Sequence, residues 1–567
     1  MKPLTKTEAK RLVKKHGSIR AAANATGRTY NSIQKVGGGE GRPARKQTVS
    51  ERTGKIAIVD PSGRRDRGAA IRAKRTTKAQ LPKGSKIKFY LFTTAQNGTK
   101  VHAKLWDNLV AYADWLGASI HVARTTYKKS AYSAQHTKTE KLYDRTEKDL
   151  WWDERVVGCL DDSRLEVAPG LVWCGDVDIL PTAEKPLQGL ETFTGRASSI
   201  FPHMKQDFDS VPSNKFEPTK FVYTTGAVTL RNYIQRKVGQ KAEFHHHYGA
   251  LLVSVDEAGN WFVRQINADS TGTFYDLIWR VKDGEVTEVP VEKNGARKGY
   301  SIYWSDGHEI EADEEMVNLA FGSGGFKDFI RPEKDFQGDI ISFKSRNHHD
   351  ISDPHRIAII HARKQNSVFN EVGGAADWLW RMHRDYCETY AVYGNHERAI
   401  GKYLKNWNAH QIFDPTNAEY YARLQAETFA FIKEHKTEPN FFQLALEVGG
   451  FDIPPSVRFL LEDESVIVNQ DANGGIECGA HHGDRGPGGK PGTVAGFLKM
   501  GRKVNIGDKH AACKKDGVCV SGTFSSMEKV DWVHGPCAWS CTQILDLPNG
   551  KRQMVTFWNG MSHHEPV

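Results

Sequence analysis

No run of about 18 apolar residues occurs anywhere in the 567-residue chain, and that excludes a membrane-spanning helix. The opening stretch, MKPLTKTEAKRLVKKHG, lacks the apolar segment of a secretory signal, so no exported destination is expected. Cysteine is scarce: eight in 567 residues cannot build a disulfide framework, and the expectation is a reducing, cytoplasmic setting. No extreme of composition is present either. With 39% hydrophobic and 26% charged residues, the chain is neither fibrous nor wholly disordered. Its length suggests about three domains, at roughly 100–200 residues each.

What the chain does have is a lopsided charge. Residues 1–85 hold 22 Lys/Arg against 5 Asp/Glu, a charge of +17 within a total of +10, so the remainder is acidic. A basic arm on a near-neutral body suits a polyanion. Within it, residues 5–35 read as three short helices, and GSIRAAANATGRTYNSIQK resembles a helix-turn-helix. Arg28, Tyr30, Asn31 and Gln34 would then face the bases of DNA. A plain helical hairpin is the alternative. Residues 36–85 are rich in Gly, Arg and Lys and read as a basic flexible linker.

Residues 86–295 read as an α/β domain of unknown role. A strand at 87–94, an amphipathic helix at 101–116 and a strand at 119–124 form a βαβ-like start. Further strands are expected at 220–225, 250–255 and 261–266. The run HHHYG at 245–249 invites a metal reading, but adjacent side chains on a strand alternate sides, so the three histidines cannot share one ion.

From residue 300 onward, strand-like runs end repeatedly in loops bearing Asp, His or Asn, the ligand types of divalent ions such as Mn²⁺, Fe²⁺ and Zn²⁺. The pieces are DGH at 306–308, GD at 338–339, GNHE at 394–397, HHGD at 481–484 and GDKH at 507–510. Loops after strand ends are where α/β folds place their sites. This order of motifs resembles that of the calcineurin-like metallophosphoesterases, in particular the recombination-repair nuclease branch. The resemblance covers about residues 300–525. It implies a four-layer α/β/β/α sandwich in residues 296–567, with two metal ions at one end.

Carried over residue by residue, the resemblance makes Asp306, His308 and His510 ligands of the first ion. Asp339 bridges both ions, and Asn395 and His482 hold the second. His396 would act on the substrate. Mn²⁺ is favoured, with Mg²⁺, Fe²⁺ or Zn²⁺ as alternatives. The chain departs from the family at Asp508, where members carry His. A carboxylate can take over as ligand, or it can turn away and weaken the second site. Ser342 stands where many members keep a second acid. Arg346, His348, His349 and Arg398 are candidates for phosphate contact, and ordinary surface polarity is their alternative. Cys513, Cys519, Cys537 and Cys541 have spacings that fit a zinc site poorly. Residues 401–450 form an insertion with a long helix expected at 416–435.

A basic arm joined to such a core points to DNA as substrate. The whole layout is similar to the large early nucleases of lytic siphophages, which implies an enzyme acting in the cytoplasm of the infected cell, with homo-oligomerisation possible. The other readings are a phosphatase or nucleotide phosphodiesterase, and a DNA-binding regulator with a degenerate metal site.

Overall fold

The computed structural model describes residues 6–16, 22, 25–26, 77–78, 87–127, 151–406, 414–470 and 474–557. The chain divides into two compact units, one of residues 1–60 and 65–74, the other of 61–64 and 75–567. The first is represented chiefly by one helix, Lys6–His16. It has Glu8 in its first turn and Lys14, Lys15 and His16 in its last, the charge order that complements a helix dipole. Arg28, Tyr30, Asn31 and Gln34 lie outside the described residues. So does most of the basic stretch 36–85, although Thr77–Lys78 within it pairs as a short parallel strand with Arg164–Ala168.

The second unit is mixed α/β, as expected. Its βαβ start is real: Ile87–Gln96 pairs parallel with Ser119–Thr125, and the helix Ala103–Leu116 connects them. That helix turns out of its last residue through Gly117 at φ 64°, a left-handed position glycine adopts freely. Gly249–Asp256 and Trp261–Asn267 complete a four-stranded sheet.

Two larger sheets position the motif loops. The six-stranded sheet runs Val457–Phe459, Glu388–Ala391, Pro332–Gln337, Arg297–Tyr303, Cys541–Asp546, Arg552–Phe557. Its first four strands are parallel and its last two form an antiparallel hairpin. Side chains alternate between two buried faces, as parallel strands covered on both sides require. Ile302, Leu545 and Val555 face a helical layer that includes Glu314–Phe321, Val368–Met382, Asn395–Lys405, Ala418–His435 and Phe441–Gly449. The 401–450 insertion is therefore part of that layer. Tyr303, Phe336, Tyr390 and Ile544 face the other way and join a core with Trp173, Phe208, Cys478 and Cys519.

Those last residues belong to an eleven-stranded sheet that draws strands from both 86–295 and 296–567. At its centre Phe208–Val211 pairs antiparallel with Cys513–Lys515. Toward one edge, Ile476–Cys478 and Val504–Ile506 run parallel. A short helix, Val494–Leu498, packs Phe497 against the far face of this sheet beside Val504, Ile506 and Val518.

The three histidines of HHHYG go to three different partners: His245 to Asp516 at 2.8 Å, His246 to the Tyr233 hydroxyl at 2.8 Å, and His247 to the His245 carbonyl at 2.9 Å. No helix among the described residues is long and apolar enough to cross a membrane.

Candidate metal centre

Five loops converge at the carboxyl ends of these strands. Arg297–Tyr303 leads to Asp306 and His308, Pro332–Gln337 to Asp339, and Glu388–Ala391 to Asn395 and His396. From the second sheet, Ile476–Cys478 leads to His482 and Val504–Ile506 to Asp508 and His510. Because the strands are adjacent and parallel within each sheet, the loops leave in one direction and meet.

Asp306, His308, Asp339 and His510 are buried, and one ligand atom from each lies within 4.8 Å of all the others. This cluster can hold a metal ion. His308 Nε2 stands 3.1 Å from His510 Nε2, and His510 Nε2 stands 3.2 Å from Asp306 Oδ2. Asp306 Oδ1 and His308 Nδ1 are buried with no hydrogen-bond partner. Converging acceptors and unsatisfied buried polar atoms are costly in themselves, and a cation among them relieves that cost. Burial, reinforced by the imidazoles of His396 and His510, holds the His308 pKa well below its ordinary value, which leaves a neutral ring able to ligate.

The backbone is bent to make this cluster. His308, Asp339, Asp508 and His510 all have positive φ, between 44° and 62°. Non-glycine residues in that region cost about 1–3 kcal/mol each and gather at functional sites. Three motif glycines serve close approach instead: a Cβ at Gly338 would run into His482, one at Gly394 into Asp339, and one at Gly507 into Asp306.

The remaining motif residues surround Asp339. His482 Nε2 lies 2.9 Å from Asp339 Oδ2. Burial favours the neutral ring, but Asp339 and Asp306 outweigh it and hold the His482 pKa well above the usual value. Its neighbour His481 turns away, to 3.8 Å from Glu477 and against the ring of Phe497. The Asn395 amide lies 3.3 Å from Asp339 Oδ2 and 3.2 Å from Asp508 Oδ1, where its NH₂ donates to both. Asp508 is thus drawn two ways, since its Oδ2 is 2.6 Å from Lys509 Nζ. Its own amide donates to Asp306 Oδ2 at 2.6 Å.

His396 donates its backbone N–H to Asp339 Oδ1 at 3.2 Å, and its Nδ1 lies 2.6 Å from the Ser342 carbonyl. Burial lowers its pKa, yet Asp339 and the Ser342 carbonyl outweigh that and hold it above the ordinary value. The other candidates are engaged with protein partners. Arg346 Nε donates to Asp414 Oδ2 at 2.6 Å. Arg398 pairs with Asp484 and donates to the Tyr393 carbonyl at 2.7 Å. His348 Nε2 is 3.2 Å from Lys402 Nζ, and the His348 and His349 rings lie 3.9 Å apart. Cys513, Cys519, Cys537 and Cys541 are free thiols, and they belong to no ligand group among the described residues.

Sequence reasoning overlooked two supports. Glu397, fully buried, accepts the Ile340 N–H at 2.7 Å and the Gly394 N–H at 3.0 Å, and so joins the loops bearing Asp339 and Asn395. The signal was present in the last letter of GNHE. Trp539 sets its ring edge-on to His510, centroids 4.3 Å apart, and nothing in the local sequence announced it.

No family model matches the chain. It is 31% identical over 514 residues to Protein A1 of Escherichia phage T5, an alignment spanning 89% of this chain and 88% of that protein.

Proposed function

The chain belongs to the family of phage T5 Protein A1, and we propose that it is a divalent-metal-dependent nuclease that hydrolyses phosphodiester bonds of DNA at the Asp306–His308–Asp339–His510 cluster. One observation carries this reading: four buried potential ligands, delivered by loops of two sheets, converge with one ligand atom of each within 4.8 Å of the others. The donor set of imidazole and carboxylate suits Mn²⁺ and its neighbours. The order of the motifs and their sandwiching sheets favour the metallophosphoesterase arrangement, with Asp306, His308 and His510 on one ion, Asp339 shared, and Asn395, His482 and Asp508 on a second.

Divalent ions held there would supply a water that loses its proton near neutral pH and would neutralise the phosphate oxygens. The protein's own part falls chiefly to His396. A carbonyl can only accept, so the bond to Ser342 keeps a proton on Nδ1 and leaves Nε2 to hold a second proton for the leaving oxygen.

The +17 arm favours a long polyanion over a small phosphate ester. Kinship with a phage protein suits an early protein that degrades host DNA in the cytoplasm of the infected cell. The Asp508–Lys509 pair is the one feature that favours a weakened second site and a purely DNA-binding role. A single assay separates the readings: supercoiled plasmid and a chromogenic phosphomonoester, each incubated with the protein and Mn²⁺. Nicking without monoester hydrolysis is expected. Monoester hydrolysis alone means a phosphatase, and plasmid binding with neither reaction means a regulator.

A further inference from the structure

Beside the metal cluster stands an aromatic wall that the chemistry above does not use. Trp539 meets the proposed ligand His510 edge-on, and Trp532 lies 5.3 Å from Trp539 with the two rings inclined at 60°. Trp532 is 49% exposed. An isolated exposed tryptophan on a slack loop would carry no meaning, but this loop, between Val518–Val520 and Cys541–Asp546, is tied down along its length. The Ser526 N–H donates to the Glu311 carbonyl at 2.8 Å and Lys529 Nζ to the Ala312 carbonyl at 2.6 Å. Asp531, next to Trp532, receives Arg363 at 2.7 Å and Arg356 at 3.0 Å, and Lys344 Nζ lies 3.4 Å away. Cys537 exchanges two backbone bonds of 2.8 Å with Ser213. Trp532 is therefore held in water, one ring removed from the proposed ligand His510, by a loop fixed at several points.

An exposed indole, backed by a second one that meets His510, next to a proposed phosphate-binding centre matches one ligand chemistry. That ligand is a nucleobase out of its helical stack, attached to a backbone phosphate. We propose that Trp532, backed by Trp539, is the stacking platform for an unpaired base flanking the phosphate held at the His510 end of the site, which makes single-stranded or locally unpaired DNA the preferred substrate. A base paired within an intact duplex has no free face to offer and would have to be extruded first. The inference rests on the nuclease reading for its substrate class, but its test does not need turnover.

The experiment uses the full chain in Ca²⁺ and reads equilibrium binding of a labelled single-stranded octadeoxynucleotide. A second octamer with the same phosphates and four central abasic sites is the control. Wild type is expected to bind the base-bearing octamer about 5- to 150-fold more tightly than the abasic one, the range for one stacked base. Trp532→Ala should bring the two affinities together by weakening only the base-bearing octamer, and Trp532→Phe should restore part of the difference. The arm's phosphate contacts are the same for both octamers and cancel, and any base contact it makes is unaffected by Trp532→Ala. An unchanged ratio in Trp532→Ala, or no base preference in wild type, overturns the platform. A chain that cleaves nothing but shows the ratio and its loss leaves the platform standing and defeats the nuclease reading alone.

Discussion

Replacing Glu397 with Ala should disconnect the metal centre at its base. The carboxylate is fully buried and accepts two backbone N–H groups, those of Ile340 and Gly394, each one residue from a proposed ligand. Removing it strands both donors away from water, at about 1–3 kcal/mol each, so the variant should lose about 2–6 kcal/mol in total. Outer partners of metal ligands typically contribute 10- to 100-fold in affinity, or about 1.4–2.8 kcal/mol. The rest of the loss should appear as local opening. Two measurements check this: Mn²⁺ affinity by equilibrium dialysis, and hydrogen exchange of the Ile340 and Gly394 amides. Glu397→Gln keeps one accepting oxygen and turns an NH₂ toward the other donor, so it should fall between wild type and Ala. Wild-type Mn²⁺ affinity in Glu397→Ala, with both amides still protected, would refute the clamp.

Other outcomes follow from the same contacts. His396→Ala should lose about 10²- to 10⁴-fold in cleavage rate while metal analysis shows its ions retained; loss of metal would instead make His396 a ligand. Lys327→Met should destabilise the protein by about 3–5 kcal/mol in urea unfolding, because Lys327 Nζ is 2.6 Å from Asp335 Oδ2 with both side chains fully buried. A cost under about 1 kcal/mol would show the pair to be of little consequence. Asp207 is pushed up to about 7 by burial, and its Oδ1 has no partner. The folded state therefore prefers the neutral acid, and stability falls as pH rises from about 4 to about 7. Asp207→Asn should match wild type near pH 4 and exceed it at pH 8, and equal stabilities at pH 8 would count against the burial argument.

The sequence carried the site further than the fold. Motif loops are local: Asp306, His308, Asp339 and His510 each follow a short apolar run, and the resemblance of the motif order to the metallophosphoesterases named them as ligands; the structure brings these four together in one buried cluster. The strands expected at 87–94, 119–124, 250–255 and 261–266 were likewise legible as strand-like runs and extend by one or two residues in the structure. Pairing at a distance was not. Nothing in Phe208–Val211 indicates that it joins Cys513–Lys515, some 300 residues on, and so binds residues 86–295 and 296–567 into one sheet. The same limit hid the partner of Arg346, since Asp414 lies 68 residues on, just before the helix Ala418–His435. The reading of Arg28, Tyr30, Asn31 and Gln34 as base contacts concerns residues outside those described.

If the buried cluster binds metal and cuts DNA, both properties are read at once by titrating Mn²⁺ into wild type and Asp339→Ala by electron paramagnetic resonance, with plasmid nicking followed on the same samples. Two tightly bound ions per wild-type chain are expected, with tight binding and nicking lost together in Asp339→Ala and plasmid binding unchanged. Wild-type nicking by Asp339→Ala, or a wild-type chain that nicks plasmid with no Mn²⁺ bound, would contradict that reading.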